Sequence, residues 1–321
     1  MQKTAKEDLN RLRQLASFTA SRILLTANAF RIFDHLEEPG KTALQLSRKL
    51  STDKRATELL LNSLVALSLL KKIKGTYKNA ALASQYLVSG KPDYQGDIIS
   101  HYNVLWDNWS GLNTVLKTGK PFKKSFDHRS FIMGMHNLSV PRVSDVLRHI
   151  NLRGVTRVLD LGGGPGTYSI AFAKKNIHVT LMDYPETLKI AKKLIIKAGV
   201  KTRIRLLPGD FCTDDLGNGY DLIFISHIFH AYSAKASVSI LKKSCRALNR
   251  GGRVVVQEFL LHETRTSPLS GALFAINMLV NTMGGRTYTP TEIGSWLKQS
   301  GYIAVRKAIN DDYVFMNGRK K

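Results

Sequence analysis

Between Asp8 and Leu36 the apolar residues Leu9, Leu12, Leu15, Phe18, Ile23, Leu24, Ala27, Phe30 and Ile32 recur at mostly helical intervals, which predicts helices with a broad apolar face. Pro39-Gly40 breaks the pattern. Thr42 to Leu50 reads as a short helix, Ser51-Thr52-Asp53 supplies N-cap oxygens, and Arg55 to Leu70 reads as a second, leucine-rich helix. In the segment KKIKGTYKNA, Gly75 then sits between two short β-prone pieces, the pattern of a hairpin. Residues 85–150 carry further helical material with an aromatic cluster, Tyr102, Trp106 and Trp109, followed by a basic loop from Lys117 to Lys124.

From Arg157 the pattern changes. VTRVLDLGGGPG is a strand running into a glycine loop, and HVTLMD, RIRLLPGD, YDLIFIS and GGRVVVQEF are short apolar strands separated by helix-length segments. Strand and helix in alternation predict an α/β domain with a parallel sheet covered on both faces. The boundary is placed between about Asn137 and Asn151, giving domains of residues 1–140 and 141–321. The first of these, helix, turn, helix and hairpin, has a winged-helix order, which invites a DNA-binding reading. Its second helix, RATELLLNSLVALSLL, is apolar over most of its circumference, whereas a groove-reading helix needs a polar face for base edges. Burial in a core or a subunit interface is the better reading.

Composition changes this picture little. At 321 residues the chain is comfortable for two cores, and 43% hydrophobic against 22% charged residues is ordinary globular usage. No stretch is apolar enough to cross a bilayer and the first residues, MQKTAKEDLNRLRQ, lack a signal-peptide core, so a cytoplasmic protein is expected. Cys212 and Cys245 lack metal-ligand spacing, so no metal is expected. The net charge of +24 raises the question of nucleic acid or an anionic membrane surface. Residues 1–150 carry +11 and the remainder +13, with the lysine pairs scattered, so a solvated basic surface is the simpler account and peripheral contact with an anionic membrane stays open.

The chemistry gathers at the ends of the predicted strands. Asp160-Leu161-Gly162-Gly163-Gly164-Pro165-Gly166 follows the first strand, where glycines let the backbone turn sharply and approach a ligand. Taken alone, such a loop is also what any tight strand-to-helix turn requires. Asp183 ends the next strand, where a carboxylate can accept from both hydroxyls of a ribose. A dinucleotide fingerprint needs a third glycine at position 167, which is Thr167, and Asp160 before the loop disfavours a pyrophosphate but suits a ligand carrying an ammonium group. Gly209-Asp210-Phe211 follows the third strand, placing an acid for an adenine amino group and an apolar ring to cover the base.

On these blocks the sequence resembles class I methyltransferases. Across nearly its whole length it is similar to the small-molecule O-methyltransferase family that includes plant caffeate and animal acetylserotonin enzymes. The resemblance implies a Rossmann-like domain that binds S-adenosylmethionine, preceded by a mostly helical winged-helix domain that forms a homodimer and helps close the substrate pocket. It carries cofactor contacts onto Gly162, Gly164, Asp183, Gly209, Asp210 and Phe211, with His227 at a position that is often basic and near the cofactor.

Transfer to a hydroxyl needs a base, and histidine is the usual one near neutral pH. ISHIFHAYSAKA follows the strand YDLIF, which puts His227 and His230 at the carboxyl edge of the sheet. By the resemblance His230 is the catalytic base, although the aspartate that follows the family's histidine is Ala231 here, and Glu258 is the acid that orients it. A second orienting acid would fall at Thr287 and is missing. The helix GALFAINMLVNT would turn Asn277 and Met278 toward a small-molecule acceptor, with a core position the competing reading for Met278. The expected activity is methylation of a hydroxyl on a small, aromatic or polyketide-like molecule. Carbon methylation, or decarboxylation or hydroxylation on the same fold, remains open, as does a cofactor-sensing DNA-binding regulator.

Overall fold

The computed structural model describes residues 5–321. Met1 to Thr4, the start of the stretch scanned for a signal peptide, lie outside the described residues. The chain forms two compact units, one ending at Asn103 and the other beginning at Val104.

In the first unit, α1 (Ala5–Ala16) is followed by α2 (Thr19–Ala29), α3 (Ile32–His35) and the short strand β1 (Lys41–Thr42). A capping box opens α4 (Ala43–Leu50): Thr42 accepts from the Gln45 N–H while the Gln45 side chain accepts from the Thr42 N–H. Asp53 caps α5 (Lys54–Ala66) by accepting from the Ala56 N–H at 2.7 Å. This helix stops four residues short of the predicted Leu70, because Leu70 begins β2 (Leu70–Ile73), which pairs with β3 (Thr76–Asn79). Lys74 and Gly75 join them with φ of 47° and 76°, the left-handed pair that a tight hairpin turn needs. The three strands pair antiparallel in the order β1-β3-β2, and Phe33, Leu36, Leu46, Leu61, Leu64 and Tyr77 are buried within the unit. The apolar face predicted for α1 is not covered: Leu9, Leu12 and Leu15 are 46%, 65% and 77% exposed. Helix α6 (Ala81–Tyr86) follows, and α7 (Gly96–Trp109) runs across the division, so that its residues from Val104 on belong to the second unit.

In the second unit α7 is followed by α8 (Leu112–Thr118), α9 (His128–Ser139) and α10 (Val143–Arg148), then β4 (Arg157–Leu161), α11 (Thr167–Ala173), β5 (His178–Asp183), α12 (Pro185–Lys197), β6 (Ile204–Pro208) and β7 (Tyr220–Ser226). It continues through α13 (Ala234–Ala247), β8 (Leu248–Phe259), α14 (Leu269–Asn281), α15 (Pro290–Gln299), β9 (Tyr302–Asn310) and β10 (Tyr313–Lys320). The helices before the sheet belong to this unit because α9 packs on α11 and α12 and α8 packs on α14. The division at Asn103 therefore precedes the change in sequence pattern that suggested a boundary near residue 140.

Seven strands run in the order β6-β5-β4-β7-β8-β10-β9. The five predicted strands, β4 to β8, pair in parallel, while β10 is antiparallel to both β8 and β9, so the sheet is mixed. Alternate residues serve opposite faces: Leu159, Leu161, Ile223, Ile225, Val254 and Val256 enter one core, and Val158, Leu222, Phe224, Val255 and Phe315 the other. Strand order reverses between β4 and β7, and open α/β sheets bind ligands at the carboxyl ends beside such a reversal.

Candidate active site

The loop after β4 is held open by backbone conformations that favour glycine. Gly162 and Gly164 have φ of 66° and 55°, and a side chain on Gly162 would collide with Ile228 and come within 3.2 Å of the Phe211 ring. At Gly164 the backbone N–H donates to Oδ2 of Asp183 at 2.9 Å, and the Tyr184 N–H donates to Oδ1 at 2.7 Å. Asp183 thus fastens the glycine loop to the end of β5. Burial raises its pKa, against the lowering effect of those two N–H groups. Thr167, which stands where the dinucleotide fingerprint has glycine, hydrogen-bonds His136 of α9 at 2.8 Å.

Asp160 sits under the loop. It is fully buried, its carboxyl carbon would be 2.6 Å from a Cβ on Gly163, and Oδ2 accepts from the Ser169 hydroxyl at 2.6 Å. Its Oδ1 is buried without a partner, and burial pushes the carboxyl up to about 7. At the next strand end Gly209 donates its N–H to the Asp183 carbonyl at 3.1 Å. Asp210 accepts from the Cys212 N–H at 2.8 Å, closing the turn that follows β6. Phe211 is buried and meets Tyr232 edge-on at 5.8 Å.

The histidines follow β7. His227 has φ of 57°, and its N–H donates to the Gln257 carbonyl at 2.9 Å. This left-handed step turns the His227 ring away from the glycine loop, onto Phe259 at 4.7 Å and Tyr313 at 5.2 Å, while Ile228 takes the place against Gly162 and Phe211. Ile228, rather than His227, is thus the side chain that lies against the glycine loop. Burial pushes the His227 imidazole down to about 4, against the opposite pull of Glu258. A short 3₁₀ turn, Phe229–Ala231, presents His230, whose Nδ1 is 2.8 Å from Oε2 of Glu258. Oε1 of Glu258 accepts from the Phe229 N–H at 2.7 Å. Burial would raise the Glu258 pKa, but the His230 imidazole, its hydrogen bond, His227 and the Phe229 N–H together hold it below the ordinary value. In the neutral imidazole, the tautomer that donates from Nδ1 to Glu258 leaves the lone pair on Nε2 of His230.

Aromatic groups surround this pair: Phe274 meets the His230 ring edge-on at 4.8 Å, and Phe259 lies 3.9 Å from Phe274. The Asn277 amide is half-buried, and its oxygen accepts from Trp109 Nε1 at 3.0 Å. Met278 is buried. Thr287, where the second acid was sought, is buried and donates to the Gly271 carbonyl at 2.9 Å, pinning the start of α14. Sequence reasoning did not single out His136, Ile228, Phe259, Phe274 or Tyr313; Ile228, Phe259 and Phe274 lie in segments quoted for other residues, and His136 and Tyr313 in none.

An O-methyltransferase domain model matches residues 100–303, and an O-methyltransferase dimerisation domain model matches residues 12–89. The chain belongs to the O-methyltransferase family. It is 31% identical over 291 residues to the 3-hydroxy-5-methyl-1-naphthoate 3-O-methyltransferase of Streptomyces sahachiroi, covering 86% of this chain and 84% of that protein. It is also 31% identical over 315 residues to the acetylserotonin O-methyltransferase of Bos taurus, 90% of each chain. Human N-acetylserotonin methyltransferase, solved with its methyl donor, shares the fold with a TM-score of 0.87 at 24% identity over 99% of this chain and 98% of that one. This chain is accordingly an S-adenosylmethionine-dependent methyltransferase. The described residues fit that donor: the Gly162 cradle is closed by Ile228 and Phe211, and the Asp183 carboxylate borders it.

Proposed function

We propose that this methyltransferase acts on the hydroxyl of a small aromatic molecule, with His230 as general base and Glu258 as the residue that positions it. S-adenosylmethionine supplies the electrophilic methyl group. Gly162, Gly164, Asp183, Gly209, Asp210 and Phe211 would hold it, Asp183 through its ribose and Phe211 against its adenine. Nε2 of His230 takes the hydroxyl proton as the acceptor oxygen becomes nucleophilic, and Glu258 offsets the charge that appears on the imidazole. Phe259 and Phe274, whose rings lie against His230, would favour a flat, apolar acceptor, with the buried Met278 on the same side of the pocket as the resemblance implies. Asn277, already engaged by Trp109, would shape this wall more than it would recognise the acceptor.

The observation that carries this reading is the 2.8 Å contact between His230 and the buried Glu258 at the carboxyl end of the sheet. The names of the relatives, which act on a hydroxynaphthoate and on acetylserotonin, support a phenolic acceptor. The N-terminal unit would act as a winged-helix-type dimerisation module, in a cytoplasmic homodimer. Phenols and hydroxyquinones screened with labelled S-adenosylmethionine test the proposal. A product that has gained one methyl group on oxygen supports it, and one methylated on carbon or nitrogen overturns it.

A further inference from the structure

His227, His230 and Glu258 each offer one donor atom, and these atoms lie within 4.8 Å of one another. Oε2 of Glu258 is 2.8 Å from Nδ1 of His230 and 4.0 Å from Nδ1 of His227. The first distance is the hydrogen bond that orients the base. That bond does not account for the second. Although a quarter of the His227 side chain is exposed, its Nδ1 is sealed from solvent and has no hydrogen-bond partner, a costly state for a ring nitrogen. We propose that His227, His230 and Glu258 form a binding site for a borderline divalent transition-metal ion of the Zn²⁺ or Co²⁺ type, and that its occupancy switches the catalytic base off.

The donor set selects the ion. Two imidazole nitrogens and one carboxylate suit zinc and cobalt, whereas magnesium and calcium take oxygen ligands. At metal–ligand lengths of about 2.0–2.1 Å, two donors in a tetrahedral site stand roughly 3.3 Å apart. The observed 2.8 and 4.0 Å bracket that spacing, and with all three donor atoms within 4.8 Å, side-chain rotations of up to about 1.5 Å close the site. Cysteine spacing, which spoke against a metal, has no bearing on a site that uses no cysteine and assembles only on folding. The ion would replace the proton on Nδ1 of His230, and the ring would regain one from solvent at Nε2. The imidazole stays neutral, but its Nε2 becomes a donor and cannot accept the acceptor's proton. Metal binding itself stands apart from the base assignment; the loss of activity rests on it.

Titration of the full-length protein with Co²⁺ alone, followed by visible absorption, tests the site. One ion per chain is expected, with the bands of a nitrogen- and oxygen-ligated cobalt, displaced by Zn²⁺. Removing one ligand in His227→Phe should weaken binding by more than about 100-fold, beyond the effect of disturbing a neighbour of a ligand. If His227→Phe does not fold, as judged by circular dichroism, Glu258→Gln should show the same loss. Missing bands, or bands of unchanged strength in either folded variant, overturn the site. With the site occupied, methyl transfer should stop and return on chelation; unchanged turnover with cobalt bound overturns the switch and the base assignment together.

Discussion

Asp160 is the residue whose placement departs furthest from an ordinary carboxylate. The folded chain holds its proton up to about pH 7, while the unfolded chain releases it near 3.8. The folded state therefore binds more protons between those values, and stability contributed by this group falls as pH rises through that window and is flat above it. Asp160→Asn, which keeps an acceptor for Ser169, should raise the melting temperature of the cofactor-free protein by several degrees at pH 8 and by little at pH 4; a pH-independent difference in calorimetry would refute the assignment. For Asp183, Ala should weaken S-adenosylmethionine binding by about 1.5–3 kcal/mol, the worth of hydrogen bonds to a charged group. Calorimetry that finds unchanged affinity in the folded variant excludes the ribose role. The glycine loop and Asp183 were legible in the sequence because strand ends fix where such residues emerge, and the His230–Glu258 pairing came from the resemblance to the family. The direction of His227 was not, since a left-handed step at a non-glycine residue leaves no mark in the sequence. Nor was the engagement of Asn277, whose partner Trp109 is 168 residues away.

Among the elements, the strands legible in sequence were those buried on both faces. β4 reads as RVLDL and β7 as YDLIFIS because helices cover both sides of them. β9 was passed over because it is an edge strand whose residues are mostly exposed, and with it β10, whose antiparallel insertion makes the sheet mixed. The segment between α8 and α9 read as a basic loop, yet it is tied to the fold by the Phe122 N–H, which donates to the Val280 carbonyl at 2.9 Å, and by the buried Asn108 side chain. Asn108 accepts from the Lys124 and Ser125 N–H groups at 2.9 and 3.1 Å and donates to Asn281 at 2.9 Å. Asn108→Ala strands those partners, so a loss of about 1–3 kcal/mol is expected in denaturant unfolding. Hydrogen exchange at Lys124 and Ser125 should quicken in the same variant, and unchanged exchange there would show that another contact holds the segment.

For the whole molecule, the uncovered stripe on α1 is the clearest sign of assembly. Leu9, Leu12 and Leu15 recur on one side of that helix and stay exposed in the single chain, as a subunit interface would require. Light scattering should give twice the 35.8 kDa chain mass, and Leu12→Glu with Leu15→Glu should yield monomers. A wild-type monomer at micromolar concentration would contradict the dimer. The central claim is that this methyltransferase removes a hydroxyl proton with His230. The most direct test is turnover of an identified acceptor by His230→Ala across the pH range, with cofactor affinity as the check on folding. A fall in kcat of about 10²- to 10⁴-fold at neutral pH, with cofactor affinity nearly unchanged, is the predicted result; full turnover at every pH would contradict it.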